Sequence, residues 1–515
     1  MSRHTLPKSI YSQSVGLLGI LVFSLILAVS CQGGGEEAPL EVSLALSGNP
    51  STLDPHATTE TLTFQVTKSL YDTLLEPDDD GELVPALARS WSVSDSQKEI
   101  TFQLRRDVSF HDGSGFDARD AAASIERLLS PDFASPSAGE YSVIEDVQIV
   151  DDFTLRLILS EPNAPLLYTL ASGWSAILPS EKIESGHNFA REPVGTGPFS
   201  LEQWVADERI TLNKNGDYWM EDEIEVEKVS LQIIPEPSVQ TQALMSGQVD
   251  ILYIVSEEDV PVLQSRDDII VETDTTSLVM VMSINTSRDI LGEVEMRRAL
   301  NHAIDKQTAL DVAYGGGTPV GTFNDASNPF YADFTGMYPY DPERAAELAR
   351  EAGYSEDRVF DLVLPQNFAP HVTAGELYQE MLREAGIQAR IRMVDWPTWI
   401  SDVYGNANYD LTVIGHTGKL DPDGRFIGYG SGNMYVRYPN ELLEELITEG
   451  RRTLEFSRRQ EIYTQVQRIF AEQVPFVFVG SSLRRIAYSS DISGFRMTPN
   501  LDTFDFRRIS SGSGE

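Results

Sequence analysis

The candidate ligand-binding residues of this chain occur mostly one or two at a time, shortly after predicted strands. None of them belongs to a catalytic motif. The sequence has no Gly-x-Ser-x-Gly elbow and no His-Glu-x-x-His pair, and its single cysteine excludes an internal disulfide and every multi-cysteine metal site. We therefore predict no catalytic residue, no cofactor and no metal ligand. A secreted hydrolase that works with paired carboxylates remains the alternative, because such pairs have no sequence signature.

The segment richest in candidate ligand groups is residues 414–424, which follow a predicted strand at 409–413. Open α/β sheets bind ligands beyond the carboxyl ends of their strands. Asp421 and Asp423 lie around a proline and a glycine and are predicted turn residues, with a Ca²⁺ site only weakly indicated. The residues predicted to bind ligand here are His416, Thr417 and Lys419, with a solvent-facing Lys419 as the alternative.

Four further residues are predicted to line the same ligand site. Thr58 and Thr59 follow the loop after the first strand, where their hydroxyl groups can donate hydrogen bonds. Asn285 closes a predicted strand and is either a polar group at the cleft mouth or a strand terminator. Trp396 directly follows another predicted strand, so its ring can stack on a ligand, whereas Trp399 is predicted to pack in a helix core.

Other polar motifs have a structural interpretation beside a functional one. Asp54 either lines the ligand site or turns the chain before a proline. The Gly-Thr-Gly motif at residues 195–197 either offers backbone N–H groups to a ligand or forms a tight turn with the proline that follows. His111 is predicted to be structural, and a nickel site that combines His56 with His416 stays an alternative.

The elements that must position these residues are strands and helices in alternation. Two helix-glycine-strand units follow each other, the first capped by Asp341 and ended by Gly353, the second at residues 376–386. Such units predict α/β layers with some parallel strands. Alternating apolar residues predict half-buried strands at residues 42–46, 100–104, 155–159, 229–233 and 409–413.

The first thirty residues have the pattern of an export signal. Residues 15–29 form an uncharged apolar run after a basic start, which is shorter than the ~20 residues of a membrane-spanning helix. The small residues before Cys31 are similar to a bacterial lipobox, so Cys31 is predicted to carry lipid after cleavage, with a buried small hydrophobe as the alternative. Residues 32–39 are then predicted to form a flexible tether, and the mature protein is expected to be extracytoplasmic.

Size and charge restrict the partners. The 515 residues predict about three domains' worth of core. The chain has 79 acidic and 39 basic residues, a net charge of −40, and such a surface repels phosphate backbones and anionic membranes. We therefore predict no nucleic-acid partner, and contact with the membrane only through the lipid anchor.

Residues 41–485 resemble the large solute-binding proteins of bacterial ABC importers, the family that includes dipeptide-, oligopeptide- and nickel-binding proteins. Each shared segment is weak alone, but about ten of them occur in family order. Those segments include LDP at 53–55, YDTL at 71–74, PALARSW at 85–91, FHDG at 110–113, GTGPF at 195–199, YW at 218–219, GQVD at 247–250 and RRAL at 297–300.

The resemblance implies a two-lobe periplasmic-binding-protein fold, class II, large cluster, with an extra inserted α+β subdomain. The chain would cross between the lobes twice, near residues 273–282 and 475–480. The implied parts are a signal peptide at 1–30, a lipidated cysteine and tether at 31–39, lobe I at 40–66, 194–275 and 480–509, the inserted subdomain at 67–193, lobe II at 276–479 and a tail at 510–515.

The resemblance also implies the function. A monomeric receptor would close its lobes over a small solute and deliver it to an ABC transporter permease; the alternatives are the hydrolase and a transport-independent sensor or chaperone. In peptide-binding relatives an Asp of the 414–424 loop pairs with the ligand's ammonium, and Lys419 occupies that place here. Two like charges at 4 Å repel by about 4 kcal/mol at an effective dielectric of 20, so a carboxylate, phosphate or polyol ligand is expected instead of an amine.

Overall fold

The computed structural model describes residues 39–79, 81–220, 224–417, 420–432, 434–496 and 504–512. The strands are β1 Leu40–Leu46, β2 Leu75–Pro77, β3 Leu83–Pro85, β4 Ala88–Val93, β5 Glu99–Leu104, β6 Ile144–Asp151, β7 Thr154–Leu159, β8 Phe199–Val205, β9 Arg209–Lys214, β10 Val226–Ile233, β11 Ile251–Leu252, β12 Ile269–Ile284, β13 Gly317–Thr318, β14 Val359–Pro365, β15 Gln388–Val394, β16 Leu411–Thr417, β17 Phe476–Ser489, β18 Ile492–Ser493 and β19 Ser510–Ser511.

Helices cover the faces of the sheets and connect the strands. They are α1 Thr61–Thr67, α2 Ala118–Leu129, α3 Pro165–Leu170, α4 Ser180–Glu184, α5 Pro237–Met245, α6 Val260–Gln264, α7 Val294–Ala303, α8 Lys306–Ala313, α9 Pro342–Glu351, α10 Ala369–Glu384, α11 Trp396–Thr398, α12 Asp423–Phe426, α13 Glu441–Arg452 and α14 Phe456–Gln473, with a π-helical turn at Trp399–Gly405.

One large mixed sheet runs through the molecule in the order β15-β14-β16-β12-β17-β11-β1-β10-β9-β8. Strand β14 pairs in parallel with β15 and β16, and β1 pairs in parallel with β10 and β11. The predicted units around β14 form as expected: the Asp341 carboxylate accepts the Arg344 N–H at the start of α9, and Gly353 takes the positive φ of +84° that ends it.

Two long antiparallel strands occupy the middle of this sheet. β12 and β17 pair with each other, β12 also pairs with β16 on one side, and β17 pairs with β11 on the other. Their register shifts between Thr275 and Val279 and again between Met280 and Val281. Both predicted crossings lie in this pair, while the predicted lobe boundaries stay a prediction.

Residues 67–193, which we call the inserted segment, contain a separate sheet and core. Strands β4-β5-β7-β6 form an antiparallel sheet, and β2 and β3 form a hairpin beside it. Helix α2 begins at a reciprocal capping box. The side chain of Asp117 accepts the backbone N–H of Asp120, and the side chain of Asp120 accepts the backbone N–H of Asp117. The buried side chains of Phe102, Ile125 and Leu157 belong to one apolar cluster of this segment.

One predicted boundary differs from the structure. The low-complexity tail was expected to start at Ser510, but Ser510 and Ser511 form β19 and pair with β18. Backbone hydrogen bonds hold a strand whatever its side chains, so a serine-rich composition conceals it. Among the described helices, none combines the length and the apolar character that crossing a membrane requires.

Candidate functional site

A cleft of about 980 Å³ lies between the inserted segment and the end of β16 at Thr417 with residues 420–427 after it. Most of its lining comes from residues 64–84 and 139–176. The opposite wall comes from Thr417, residues 420–427 and Arg451, and the C-terminal residues Asp505, Arg507 and Arg508 also line the cleft. The volume is at the upper end of the ~300–1,000 Å³ of small-molecule sites.

Aromatic rings form part of the wall built by the inserted segment and α1. The rings of Phe64 and Trp174 meet edge to face with centroids 5.4 Å apart, and Tyr71 and Tyr168 also line the cleft. Gly173 is required at this contact because a Cβ there would come within 2.8 Å of the Phe64 ring. Phe64 is buried, whereas Trp174 and Tyr168 are half-buried and keep part of their rings open to the cleft.

Ion pairs join the charged groups that the C-terminal residues and the region of Glu76 contribute to the cleft. Glu76 contacts Lys68 at 3.1 Å and Arg507 at 3.4 Å, and Arg507 also contacts Asp505 at 2.9 Å. Burial alone would raise the pKa of Asp505, but the adjacent Arg507 outweighs it and lowers that pKa to about 2. The carboxylate of Asp505 is therefore ionised and already occupied at neutral pH.

The opposite wall uses its two aspartates structurally. Asp421 accepts two hydrogen bonds from Arg459, and Asp423 accepts one from Arg451 at 3.1 Å. Burial raises the pKa of Asp423 despite that arginine. Both carboxylates therefore fix the turn around Pro422, as the turn interpretation predicts, and among the described residues no cluster of three or more potential metal ligands occurs.

Of the residues predicted to bind ligand in this loop, Thr417 lines the cleft and is exposed. Lys419 lies outside the described residues, as does Cys31, so both stay predictions. His416 is half-buried, and its Nε2 lies 2.5 Å from the Tyr435 hydroxyl, which also hydrogen-bonds Ser283 of β12 at 2.6 Å. Burial, with a smaller contribution from Arg425, lowers the pKa of His416 to about 4. His416 is therefore a neutral ring next to the cleft lining.

Trp396 lies at the carboxyl end of β15, outside the lining of the cleft. Its half-buried ring stacks on Trp399 with centroids 5.1 Å apart and meets the ring of Phe368 at 5.0 Å. Trp399 is buried and donates its Nε1–H to the Thr412 hydroxyl at 3.0 Å, which fits the predicted core position. Phe368 and Tyr404, which the sequence did not single out, are exposed on the same surface.

Thr58, Thr59 and Asn285 lie away from the cleft lining. The Thr58 hydroxyl accepts the Glu60 N–H at 2.9 Å, and Thr59 is exposed. Asn285 is 1% exposed and donates to the carbonyls of Ala407 and Tyr409 at 2.8 and 3.1 Å. Its contacts support the strand-terminator interpretation, and a ligand contact by these three residues stays a prediction.

The other motifs take structural contacts. Asp54 caps the turn at Pro55–Ala57 and pairs with Arg127 at 2.6 Å. The Gly197 N–H donates to the Leu70 carbonyl at 3.1 Å, and His111 Nε2 contacts the Gly197 carbonyl at 3.0 Å. These contacts favour the turn interpretation of residues 195–197.

The main lining residues were missed because they come from separate parts of the sequence. Phe64, Trp174 and Arg507 belong to a short helix, a 3₁₀ turn and a C-terminal loop. None of these has a motif or a period that marks a ligand site. Only a contact pattern across residues far apart in the chain would have indicated them.

Comparison with known proteins places this geometry in a family. The model described as "Bacterial extracellular solute-binding proteins, family 5 Middle" matches residues 82–435. A "Di/tripeptide-binding protein 2" of Pseudomonas aeruginosa (strain UCBPP-PA14) is 27% identical over 529 residues, which cover 94% of this chain and 97% of the relative. A "Glutathione-binding protein GsiB" of Salmonella paratyphi A is 25% identical over 476 residues, 90% of this chain and 93% of the relative.

Solved structures agree in fold. HbpA2 from Haemophilus parasuis superposes with a TM-score of 0.83 at 23% identity over 92% of this chain and 100% of that one. The periplasmic binding protein DppA from Helicobacter pylori, in complex with the peptide STSA, gives 0.70 at 25% identity over 92% and 98%. The predicted two-lobe α/β class is confirmed, and since the family model matches more than half of the sequence, the chain belongs to family 5 of the bacterial extracellular solute-binding proteins.

Proposed function

We propose that this protein is a lipid-anchored, monomeric receptor that captures a small solute between its lobes and delivers it unaltered to an ABC transporter permease. The observation that carries the proposal is the cleft of about 980 Å³, whose walls come from the inserted segment and from the loop after β16. A site with walls on different parts of the chain exchanges solute when those parts move relative to each other.

The central strand pair supplies the connection for such a motion. β12 and β17 run between the two halves of the sheet, and their register is irregular from Thr275 to Val281. Irregular pairing disrupts the hydrogen-bond ladder locally and bends the strand at that point. A solute would favour the closed form only to the extent that it contacts that form better than the open one.

The solute class we propose is peptide-like, anionic or polyol. Relatives named for di- and tripeptides and for glutathione support a peptide-like compound. If Lys419 contacts the solute, as the sequence predicts, it favours a solute with an acidic group. The paired carboxylates of the lining support binding without chemistry, because Glu76, Asp423 and Asp505 already accept bonds from cationic side chains.

Native mass spectrometry of gently purified protein tests the proposal. We expect an added mass that dissociates on denaturation, and the recovered compound should saturate the stripped protein in titration calorimetry and shrink its radius in small-angle scattering. The proposal is wrong if no compound from a broad library is retained on dialysis and the radius never changes. Assays against peptides, esters and glycosides separate it from the hydrolase alternative.

The anchor has its own test. Wild-type protein is expected in the membrane fraction with a lipid mass on Cys31, and Cys31→Ala is expected in the soluble fraction. A wild-type chain that is soluble and carries a free thiol would contradict the anchor but not the receptor.

A further inference from the structure

We infer that the inserted segment supplies a subsite for a bulky apolar side chain of the solute, an inference that rests on the proposed function. Its half-buried groups Leu83, Val84, Tyr168 and Trp174 line the cleft. Facing them on the opposite wall, Ile427 leaves 46% of its surface exposed. Apolar surface that remains open on both walls of one cleft gains free energy when a solute covers it.

Four hydroxyl groups of this wall are already used within the protein. Those of Thr73 and Ser142 donate to the carbonyls of Leu75 and Gly139 at 2.5 and 2.8 Å. Those of Ser160 and Ser172 donate to the carbonyls of Val143 and Thr169. A polar solute group in this compartment would have to compete with bonds that are already made.

Most carboxylates of the lining are likewise occupied. Each of the following has a cationic side chain within 4 Å: Glu76, Asp79, Glu161, Asp421, Asp423 and Asp505. A charged solute side chain would have to break an ion pair to reach one of them. These occupied groups leave the open apolar surface as the feature of this compartment that favours an apolar side chain.

Contacts across the cleft enclose the compartment at one end. The Ala164 N–H donates to the Arg451 carbonyl at 2.7 Å, and Arg452 pairs with Glu161 at 2.6 Å. At the other side, Gly81 packs near Leu420, with 3.3 Å between a Cβ built on Gly81 and the leucine side chain. The inserted segment and the 417–427 loop thus form two walls of one space, so a side chain between them loses water on both faces.

Four tripeptides that differ only in the middle residue test the subsite. Ala-Phe-Ala, Ala-Ala-Ala, Ala-Glu-Ala and Ala-Lys-Ala are titrated into the stripped protein by calorimetry. Covering a phenylalanine side chain predicts about ten- to a hundredfold tighter binding of Ala-Phe-Ala than of the other three. Equal affinities would overturn the subsite while leaving the receptor intact, and no binding by any peptide to folded protein would overturn both for peptide solutes.

A matched pair of variants locates the effect. Ile427→Ser removes apolar surface inside the cleft, and Val312→Ser removes it from an exposed position, 58% accessible, that is outside the lining. Ile427→Ser is expected to cut the preference for Ala-Phe-Ala over Ala-Ala-Ala at least threefold, and Val312→Ser to leave it unchanged. Both sites are on the surface, so circular dichroism should show both variants folded. An unchanged preference in Ile427→Ser would overturn the inference.

Discussion

Arg459 and Asp421 form a two-pronged ion pair that is buried beside the cleft. Nη1 and Nη2 of Arg459 donate to the two carboxylate oxygens at 2.7 and 3.1 Å, and the side chains are 2% and 6% exposed. Nε of the same guanidinium donates to the Gly450 carbonyl at 2.8 Å. Helix α14 therefore holds the turn at the end of the predicted ligand loop, and the position of that turn depends on a residue 38 positions away in the chain.

Arg459→Ala should destabilise the protein strongly. Removing the guanidinium leaves the Asp421 carboxylate buried without its partner, which costs about 3–5 kcal/mol. Urea unfolding measures the loss. The neighbouring Arg458 provides the control, since it is exposed and pairs with Glu449 and Glu461 at 2.8 Å; Arg458→Ala should cost less than about 1 kcal/mol. Equal losses in the two variants would show that the buried ion pair contributes no more to stability than the exposed one.

Histidine 56 should make the protein less stable in mild acid. Its Nε2 bonds the Ala176 carbonyl at 2.8 Å, and its Nδ1 is buried without a hydrogen-bond partner in the described part of the chain. Burial, with the nearby Arg127, lowers the pKa of His56 from its ordinary 6.5 to about 4. The unfolded chain thus takes up a proton near pH 6.5 that the folded chain refuses until about pH 4, so stability falls as the pH drops through this window.

The free energy of unfolding at pH 7 and at pH 5 measures this effect. The wild-type protein should lose free energy of unfolding between pH 7 and pH 5. We expect this loss to be about 2 kcal/mol smaller in His56→Gln. His302→Gln serves as the control, because it removes a different histidine and leaves the buried one in place. If His56→Gln keeps the full wild-type dependence on pH, the buried neutral ring is not its source.

Gly197 should tolerate no side chain. A Cβ at this position would come within 2.4 Å of the Leu70 carbonyl carbon and 2.7 Å of the Ser69 oxygen. Gly197→Ala is therefore expected to cost about 1–3 kcal/mol in thermal or urea unfolding. Gly115 has open space at the same position and a backbone that other residues adopt, so Gly115→Ala should change stability by less than about 0.5 kcal/mol. A neutral Gly197→Ala would remove the packing explanation of this motif.

The sequence predicted elements whose ends carry local signals. Helix α9 starts at an aspartate cap and ends at a glycine, and both ends were predicted correctly. Helix α10 was expected to start at residue 376 but starts at Ala369, because its N-cap is Phe368, whose side chain makes no capping bond. Without a capping residue, only the residues on the buried face indicate that the helix begins before residue 376.

The cleft could be predicted only in part. Thr417 was found because it ends a strand at the ligand edge of a sheet, a relationship that a single segment reveals. Trp174 and Arg507 enter the same cleft from segments that are more than 300 residues apart, and their place follows from packing between distant parts of the chain. The local periodicity of a sequence does not indicate which distant segments pack against each other.

Lys419 provides the last prediction, because the charge at its position should decide which solute end the loop accepts. Thr417, two residues before Lys419, lines the cleft, and so does Asp421, two residues after it, which Arg459 fixes. Lys419→Asp should weaken binding of the co-purified solute at least about tenfold if that solute has an acidic group there.

Titration calorimetry with the recovered solute checks this at low and at high salt. The loss should become smaller as salt screens the charge, since the interaction is electrostatic. Lys182→Asp makes the same change of charge on α4, outside the lining, and should leave the affinity within about twofold. Unchanged affinity in Lys419→Asp would mean that this lysine faces solvent, and the solute class would then have to be argued from the apolar wall alone.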